Sequence, residues 1–273
     1  MKPLQAYLDR VMADERISAY AVLPYTACRE VRPYLRERLS PFVPQSAVIF
    51  LVPYYAGETE NLSRYAAAED YHLYMRELFA RLTVAPSGSG YRFYGFSDHS
   101  PIDERHAACA AGLGMRGDNG LLIHPDLGSF VFIGELLTDA PPDLLGAKEP
   151  VPPAPCLHCG ACRAACPSGI LRGEGTLCLS AVTQQKGELN EEEKQLLLAG
   201  GTVWGCDICQ TVCPYNQRII ARGCRTPIPF FRENRITRLR AETLAAMDDE
   251  TFRRRAFSFR GRQPLARNLE LLP

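Results

Sequence analysis

No stretch of this 273-residue chain approaches the roughly 18–20 consecutive apolar residues that span a bilayer. The opening MKPLQAYLDRVMADERIS carries charge throughout, so no signal peptide is read there and a cytoplasmic protein is expected. An excess of either charge is missing too. The chain has 31 basic and 31 acidic residues, which removes any global pull toward nucleic acid or membrane. Beyond its cysteine motifs there is no internal repeat, and there is no low-complexity tract. Hydrophobic residues at 46% and charged residues at 23% are ordinary for a soluble globular protein. The length suits one large domain or two modest ones.

Cysteine is what the chain has in excess. Of eleven, eight fall between Cys156 and Cys213; Cys28, Cys109 and Cys224 are scattered and read as buried or incidental thiols. In a cytosolic chain such clustering points to metal or redox chemistry rather than disulfides. CLHCGACRAACP (156–167) has the spacing C-x2-C-x2-C-x3-C-P of bacterial ferredoxins, where the fourth cysteine ligates a second cluster. CDICQTVCP (206–214) supplies only three more thiols, Cys206, Cys209 and Cys213. Cys178 lies between the runs and is the obvious eighth ligand. The crossed pattern predicts one 4Fe–4S cluster on Cys156, Cys159, Cys162 and Cys213, and another on Cys166, Cys178, Cys206 and Cys209. A zinc-stapled domain is the competing reading, but it explains neither the two CP endings nor the crossed ligand count. Clusters alone make an electron conduit, so the acceptor is sought in the first 145 residues.

Those residues read as mixed α/β. LQAYLDRVMADE has helical spacing, and SAVIFLVPYY is a continuous apolar run suited to a buried strand. SRYAAAEDYHLYMRELFARL reads as one amphipathic helix with Ser63 as its cap. YRFYGFSD and GSFVFIGELLTD read as strands, and DERHAACAAGLGMRG as a helix closed by Gly112 or Gly114. The proline-rich APPDLLGAKEPVPPAPC reads as a linker. The tail from Gln217 onward holds 13 arginines, no lysine and 6 acids, and is expected to be helical.

Several stretches are similar to the epoxyqueuosine reductase family. They are CLSAVTQQKG around Cys178, WGCDICQTVCPYN, SRYAAAEDYH, AAGLGMRGDNGLLI, GSFVFIGELLTD and FRGRQPLARNLELL. The resemblance runs from about residue 47 to the end. It implies an α+β protein: an N-terminal α/β corrinoid-binding domain of nitroreductase-like fold (1–145), a ferredoxin-like double 4Fe–4S domain (146–225) and a short arginine-rich helical tail (226–273). The activity implied is reduction of epoxyqueuosine to queuosine in tRNA, with cobalamin as cofactor. The implied partners are a tRNA anticodon stem-loop and an electron donor such as flavodoxin or ferredoxin, the protein being a monomer.

The resemblance also implies roles for single residues. Asp98 in FSDHSPIDER falls where the family carries a proton-donating aspartate; from its own surroundings it reads equally as a turn residue. Removing an epoxide oxygen takes two electrons and two protons, and a donor carboxyl needs a raised pKa, which burial against apolar surface would give. Gly117, Asn119, Gly120, Gly128 and Ser129 are expected in the corrinoid pocket, with Arg64 and Tyr71 contributed by the preceding helix. GLGMRGDNG lacks the G-K-[ST] of a phosphate loop. His99 and His106 are nearby, but the family holds its corrinoid without a histidine ligand, and no short histidine-loop cobalamin motif is present.

Two features depart from the family. Asp118 stands where a lysine is usual, and the chain stops at Pro273 without the helical-repeat domain of many members. Arginines of the tail, FRRRAF among them, would then meet tRNA phosphates. Two other readings stay open: a cobalamin-dependent reductase of a small molecule, and an electron-transfer protein with no substrate of its own.

Overall fold

The computed structural model describes residues 3–84 and 89–272. Its helices are α1 (Pro3–Asp14), α2 (Pro33–Glu37), α3 (Tyr71–Val84), α4 (Glu104–Ala110), α5 (Ala161–Ala165), α6 (Leu179–Thr183), α7 (Glu191–Gly200), α8 (Ile208–Thr211), α9 (Pro214–Ala221), α10 (Ala241–Ala246), α11 (Asp249–Arg253) and α12 (Gln263–Leu271). Its strands are β1 (Ala19–Pro24), β2 (Ser46–Pro53), β3 (Phe93–Phe96), β4 (Met115–Arg116), β5 (Leu122–Ile123), β6 (Val131–Thr138) and β7 (Ala154–Pro155). Among the described residues no helix is long and apolar enough to cross a membrane.

The chain forms two compact units. The first takes residues 1–53 and 74–158; the second takes 54–73 and 159–273. The proline-rich segment is no free linker, because it packs on the first unit. Leu145 is buried, the Lys148 N–H donates to Val22 O at 3.0 Å, and β7 runs parallel to β4.

The first unit is built on an antiparallel sheet of order β1-β2-β6-β3. All eight residues of β2 are buried, since its apolar run is covered on both faces. On one face Gly95 and Gly134 leave room for aromatic rings. A Cβ at Gly95 would stand 2.3 Å from Phe79 of α3, and one at Gly134 2.3 Å from Phe50. On the other face Ala47, Ile49, Ile133 and Leu137 pack with Ala107 and Ala108 of α4. The side-chain period of two puts Glu135, between Ile133 and Leu137, on this same face. Asp103 caps α4 by accepting the His106 N–H at 3.1 Å, and Gly112 closes the helix at φ 72°.

The second unit has its own core around Trp204, Phe257 and Leu265, all fully buried. The 54–73 segment is held there by main-chain bonds, Ser63 N–H to Trp204 O at 2.8 Å and Val203 N–H to Asn61 O at 2.7 Å. One continuous helix from Ser63 does not form. Arg64–Ala66 is a single 3-10 turn, and α3 begins only at Tyr71. Ser63 makes no cap bond; its hydroxyl donates to Asp207 instead, so tertiary contacts outweigh the local helical pattern.

Candidate functional site

In the second unit the thiols sit on short helices and their flanks. Cys162 is in α5 and Cys166 caps its end; Cys178 precedes α6; Cys209 is in α8; Cys213 precedes Pro214, the first residue of α9. Proline at that first helical position has no N–H to leave unpaired. Burial pushes the Cys206 thiol up to about 11, and neighbouring Cys178 and Cys166 push the same way. Burial lifts Cys209 to about 12, with Cys206, Cys178 and Cys162 adding to it. Cys166 goes down: burial opposes this, but N–H bonds from Leu171, Ser168 and Gly169 outweigh it. Cys178 therefore lies near both Cys206 and Cys209, with Cys166 near the first and Cys162 near the second. Crowded thiols that disfavour one another's ionisation fit a site completed by a cationic iron–sulfur core.

Asp207, between two of these cysteines, anchors the inserted segment. Its carboxylate accepts the Arg64 main-chain N–H at 2.7 Å and the Arg64 guanidinium at 3.1 Å; that guanidinium also meets Thr211 and Glu58. The Arg64 and Asp207 side chains are 6% and 8% exposed. Arg64 is thus engaged inside the second unit. It stands on a single 3-10 turn rather than on the expected helix. Tyr71, expected beside it, is buried at the start of α3 with its ring 4.2 Å from that of His72.

In the first unit Gly117–Leu121 is a tight turn: the Gly120 N–H donates to Gly117 O, and the Leu121 N–H donates to Asn119 Oδ1 at 3.2 Å. A Cβ at Gly117 would strike Asn119 Oδ1 at 2.6 Å. At Gly120 (φ 78°) an added Cβ would meet nothing within 4 Å, and the Gly120 carbonyl accepts from the Arg105 guanidinium at 2.9 Å. Gly128 (φ 63°) closes a second tight turn with His124, and Ser129 is buried beside it.

Asp118 pairs with His158, Oδ1 to Nδ1 at 2.9 Å, and the same imidazole lies 3.5 Å from the Cys156 sulfur. Asp118, Cys156 and His158 place their ligand atoms within 4.8 Å of one another. The unusual acid thus has an imidazole partner two residues from a predicted cluster ligand.

Asp98 lies between β3 and α4 in a left-handed turn (φ 61°), an uncommon conformation that Asp tolerates better than most side chains. It is exposed, and its N–H donates to Glu104 Oε2 at 3.1 Å. The expected apolar burial is not at Asp98 itself; it belongs to the acids beneath it. Burial first, then Asp98, pushes Glu104 up to about 7. Glu135 is fully buried and raised well above the usual carboxylate range by burial, with Glu104 and Asp103 pushing the same way. His99 packs near Tyr34 (Oη to Nε2 3.3 Å), and His106 is exposed on α4. Sequence reading missed Glu104, Glu135 and Asp207. The signal for Glu135 was present, a lone acid at an inward position of FVFIGELL.

A minority of the tail's arginines are turned inward. Arg235 donates to Ala56 O and Gly57 O, Arg262 to Leu244 O and Met247 O, and buried Arg267 to Gln185 O and Gly187 O. Arg222, Arg225, Arg232, Arg240, Arg253 and Arg260 are exposed.

Residues 155–216 match the family described as a 4Fe-4S double cluster binding domain. The chain is 31% identical to the epoxyqueuosine reductase of Listeria monocytogenes over 263 residues, covering 86% of this chain and 66% of that protein. It is 37% identical to that of Escherichia coli over 163 residues, 57% of this chain and 41% of the relative. The chain therefore spans about two fifths to two thirds of these relatives. A solved epoxyqueuosine reductase carrying an epoxyqueuosine-modified tRNA stem-loop shares the fold, at TM-score 0.76 and 22% identity over 98% of this chain and 81% of that one.

Proposed function

The chain belongs to the epoxyqueuosine reductase family, and we propose that it is a cobalamin-dependent iron–sulfur reductase that converts epoxyqueuosine to queuosine in tRNA. The observation that carries this reading is the Asp98 loop. A left-handed turn holds an exposed carboxyl above two acids that retain protons near neutral pH. That is a proton-donating arrangement, and epoxide removal needs protons delivered to oxygen.

Each residue then has a task. Asp98 protonates the opening epoxide oxygen. Gly117, Asn119, Gly120, Gly128 and Ser129 form the wall that receives the corrinoid, whose reduced cobalt supplies the electrons to carbon when bound. Tyr71 is kept as a pocket residue; Arg64 is left to its ion pair. Cys156, Cys159, Cys162 and Cys213 hold one cluster, and Cys166, Cys178, Cys206 and Cys209 the other. The exposed arginines of the tail meet the phosphates of the stem-loop. A cytoplasmic monomer fed by flavodoxin or ferredoxin completes the reading.

Anaerobic reconstitution with iron, sulfide and cobalamin, followed by gel filtration, tests it. Retained corrinoid with about eight irons per chain, as two cubane clusters demand, is the expected result. Epoxyqueuosine-containing tRNA should then be turned over, and Asp98→Asn should lower kcat by about 10²–10⁴. Eight irons without retained corrinoid would sink this reading and leave an electron carrier.

A further inference from the structure

Glu135 has a role to find. It is 0% exposed in the middle of β6, and neither carboxyl oxygen has a hydrogen-bond partner among the described residues. Its opposite residues are Ile49 on β2 and Phe96 on β3, so the neighbouring strands offer no polar group at that register. The groups acting on it are Glu104 of α4, Asp103 at the α4 cap, Arg32 and Cys28. Arg32 points its Nη1 at Ser100 O, 3.2 Å away. Asp103 is held low: burial opposes, but the His106 N–H and Arg29 outweigh it, so it stays a carboxylate. A buried acid among carboxylates with no donor to bind it is stable only as the neutral, proton-bearing form.

Phe96, opposite Glu135, is two residues before Asp98, and Glu104 takes the Asp98 N–H. The three carboxyls therefore run from the buried sheet face, past the start of α4, to the exposed turn.

We propose that Glu135 and Glu104 are a proton reserve beneath Asp98, which recharges Asp98 within a turnover. This rests on the reductase reading above and deepens it. The proton balance gives the reason. Turning an epoxide into an alkene sends its oxygen out as water; two electrons end on the two carbons and two protons on the oxygen. Asp98 is exposed and a carboxylate at rest, so it takes one proton from the reserve and hands it to the opening oxygen. It is then a carboxylate again, and a second proton is needed before water leaves. A substrate seated on Asp98 covers the turn that solvent otherwise reaches. The reserve passes its proton to Asp98, and Asp98 passes it to the leaving oxygen, a far stronger base than a carboxylate, so the sequence is downhill overall. Glu104, at the half-buried edge, regains a proton from water after product leaves. Glu104 and Glu135 are positioning residues that act through Asp98.

Two readouts test this on the iron- and cobalamin-loaded protein. The first needs no activity. Infrared spectra of wild type at neutral pH should contain a protonated carboxyl band that is lost in Glu135→Gln. The second is the kcat–pH profile. Glu135→Gln and Glu104→Gln should each lower kcat about tenfold with KM unchanged and move the basic limb to lower pH, while Glu135→Asp recovers much of the loss. No protonated carboxyl in wild type, or Gln variants with wild-type kcat and pH profile, overturns the reserve. A wild type inactive on the modified tRNA, with the infrared band present, refutes the reductase assignment while leaving the buried proton established.

Discussion

Glu135 in the first unit and Arg64 in the second are both buried charged residues, and they are handled in opposite ways. Arg64 has been given partners from three directions: Asp207, Thr211 and Glu58. Arg267 likewise sits among carbonyls of the segment between α6 and α7. Glu135 has only apolar strands beside it and other acids nearby. A charge with partners fastens elements together, and here it ties the 54–73 segment to the cysteine-bearing helices. An acid without partners stabilises nothing and must hold its proton, which is the property that acid catalysis uses.

The largest effect that separates these cases is expected from Asp207→Ala. It leaves a buried guanidinium without its main carboxylate and should cost about 3–5 kcal/mol of stability, read by urea unfolding of the iron-loaded protein. A loss below about 1 kcal/mol would put this pair among ordinary surface pairs and dissolve the contrast.

Glu135→Gln should act in the other direction, and only at high pH. Folded Glu104 and Glu135 keep protons that the unfolded chain has released. Stability is then full below the ordinary glutamate value of 4.5 and falls as pH rises through about 7, the folded value for Glu104. Glu135→Gln removes its share of that fall. It should match wild type at pH 5 and exceed it at pH 8 by about 1–3 kcal/mol. Equal destabilisation at both pH values would mean that Glu135 has a partner after all.

The smallest effect is expected for Arg238→Ala. Its bond to Glu60 joins side chains 47% and 60% exposed, and its removal should change the unfolding free energy by no more than about 1 kcal/mol. A larger loss would show that pairing in the second unit matters even at the surface.

Much of this was legible in the residues. The cysteine spacings marked the thiol cluster, and in the fold Cys178 lies near Cys206 and Cys209. The strands β2 and β6 were read correctly because burial leaves a direct trace in sequence, although β6 is buried continuously from Ile133 to Thr138 rather than in alternation. The helix drawn from Ser63 was not. Arg64 and Asp207 are 143 residues apart, and no local pattern reports a contact at that distance. The arginines of the tail read as a phosphate surface because composition cannot tell a guanidinium in water from one capping carbonyls. Nothing in the local sequence signals the partner of Asp118, since His158 lies 40 residues away.

By itself the sequence determined the cluster of candidate thiols, the main strands, the position of Asp98 and the family, since these rest on spacing, periodicity and local motif. Tertiary structure alone decided where the two units divide, which arginines are free for a partner and which carboxyls stay protonated. Those three depend on burial and on neighbours brought from far along the chain, and the free energy of a charge is set by its surroundings in space rather than by its place in the sequence.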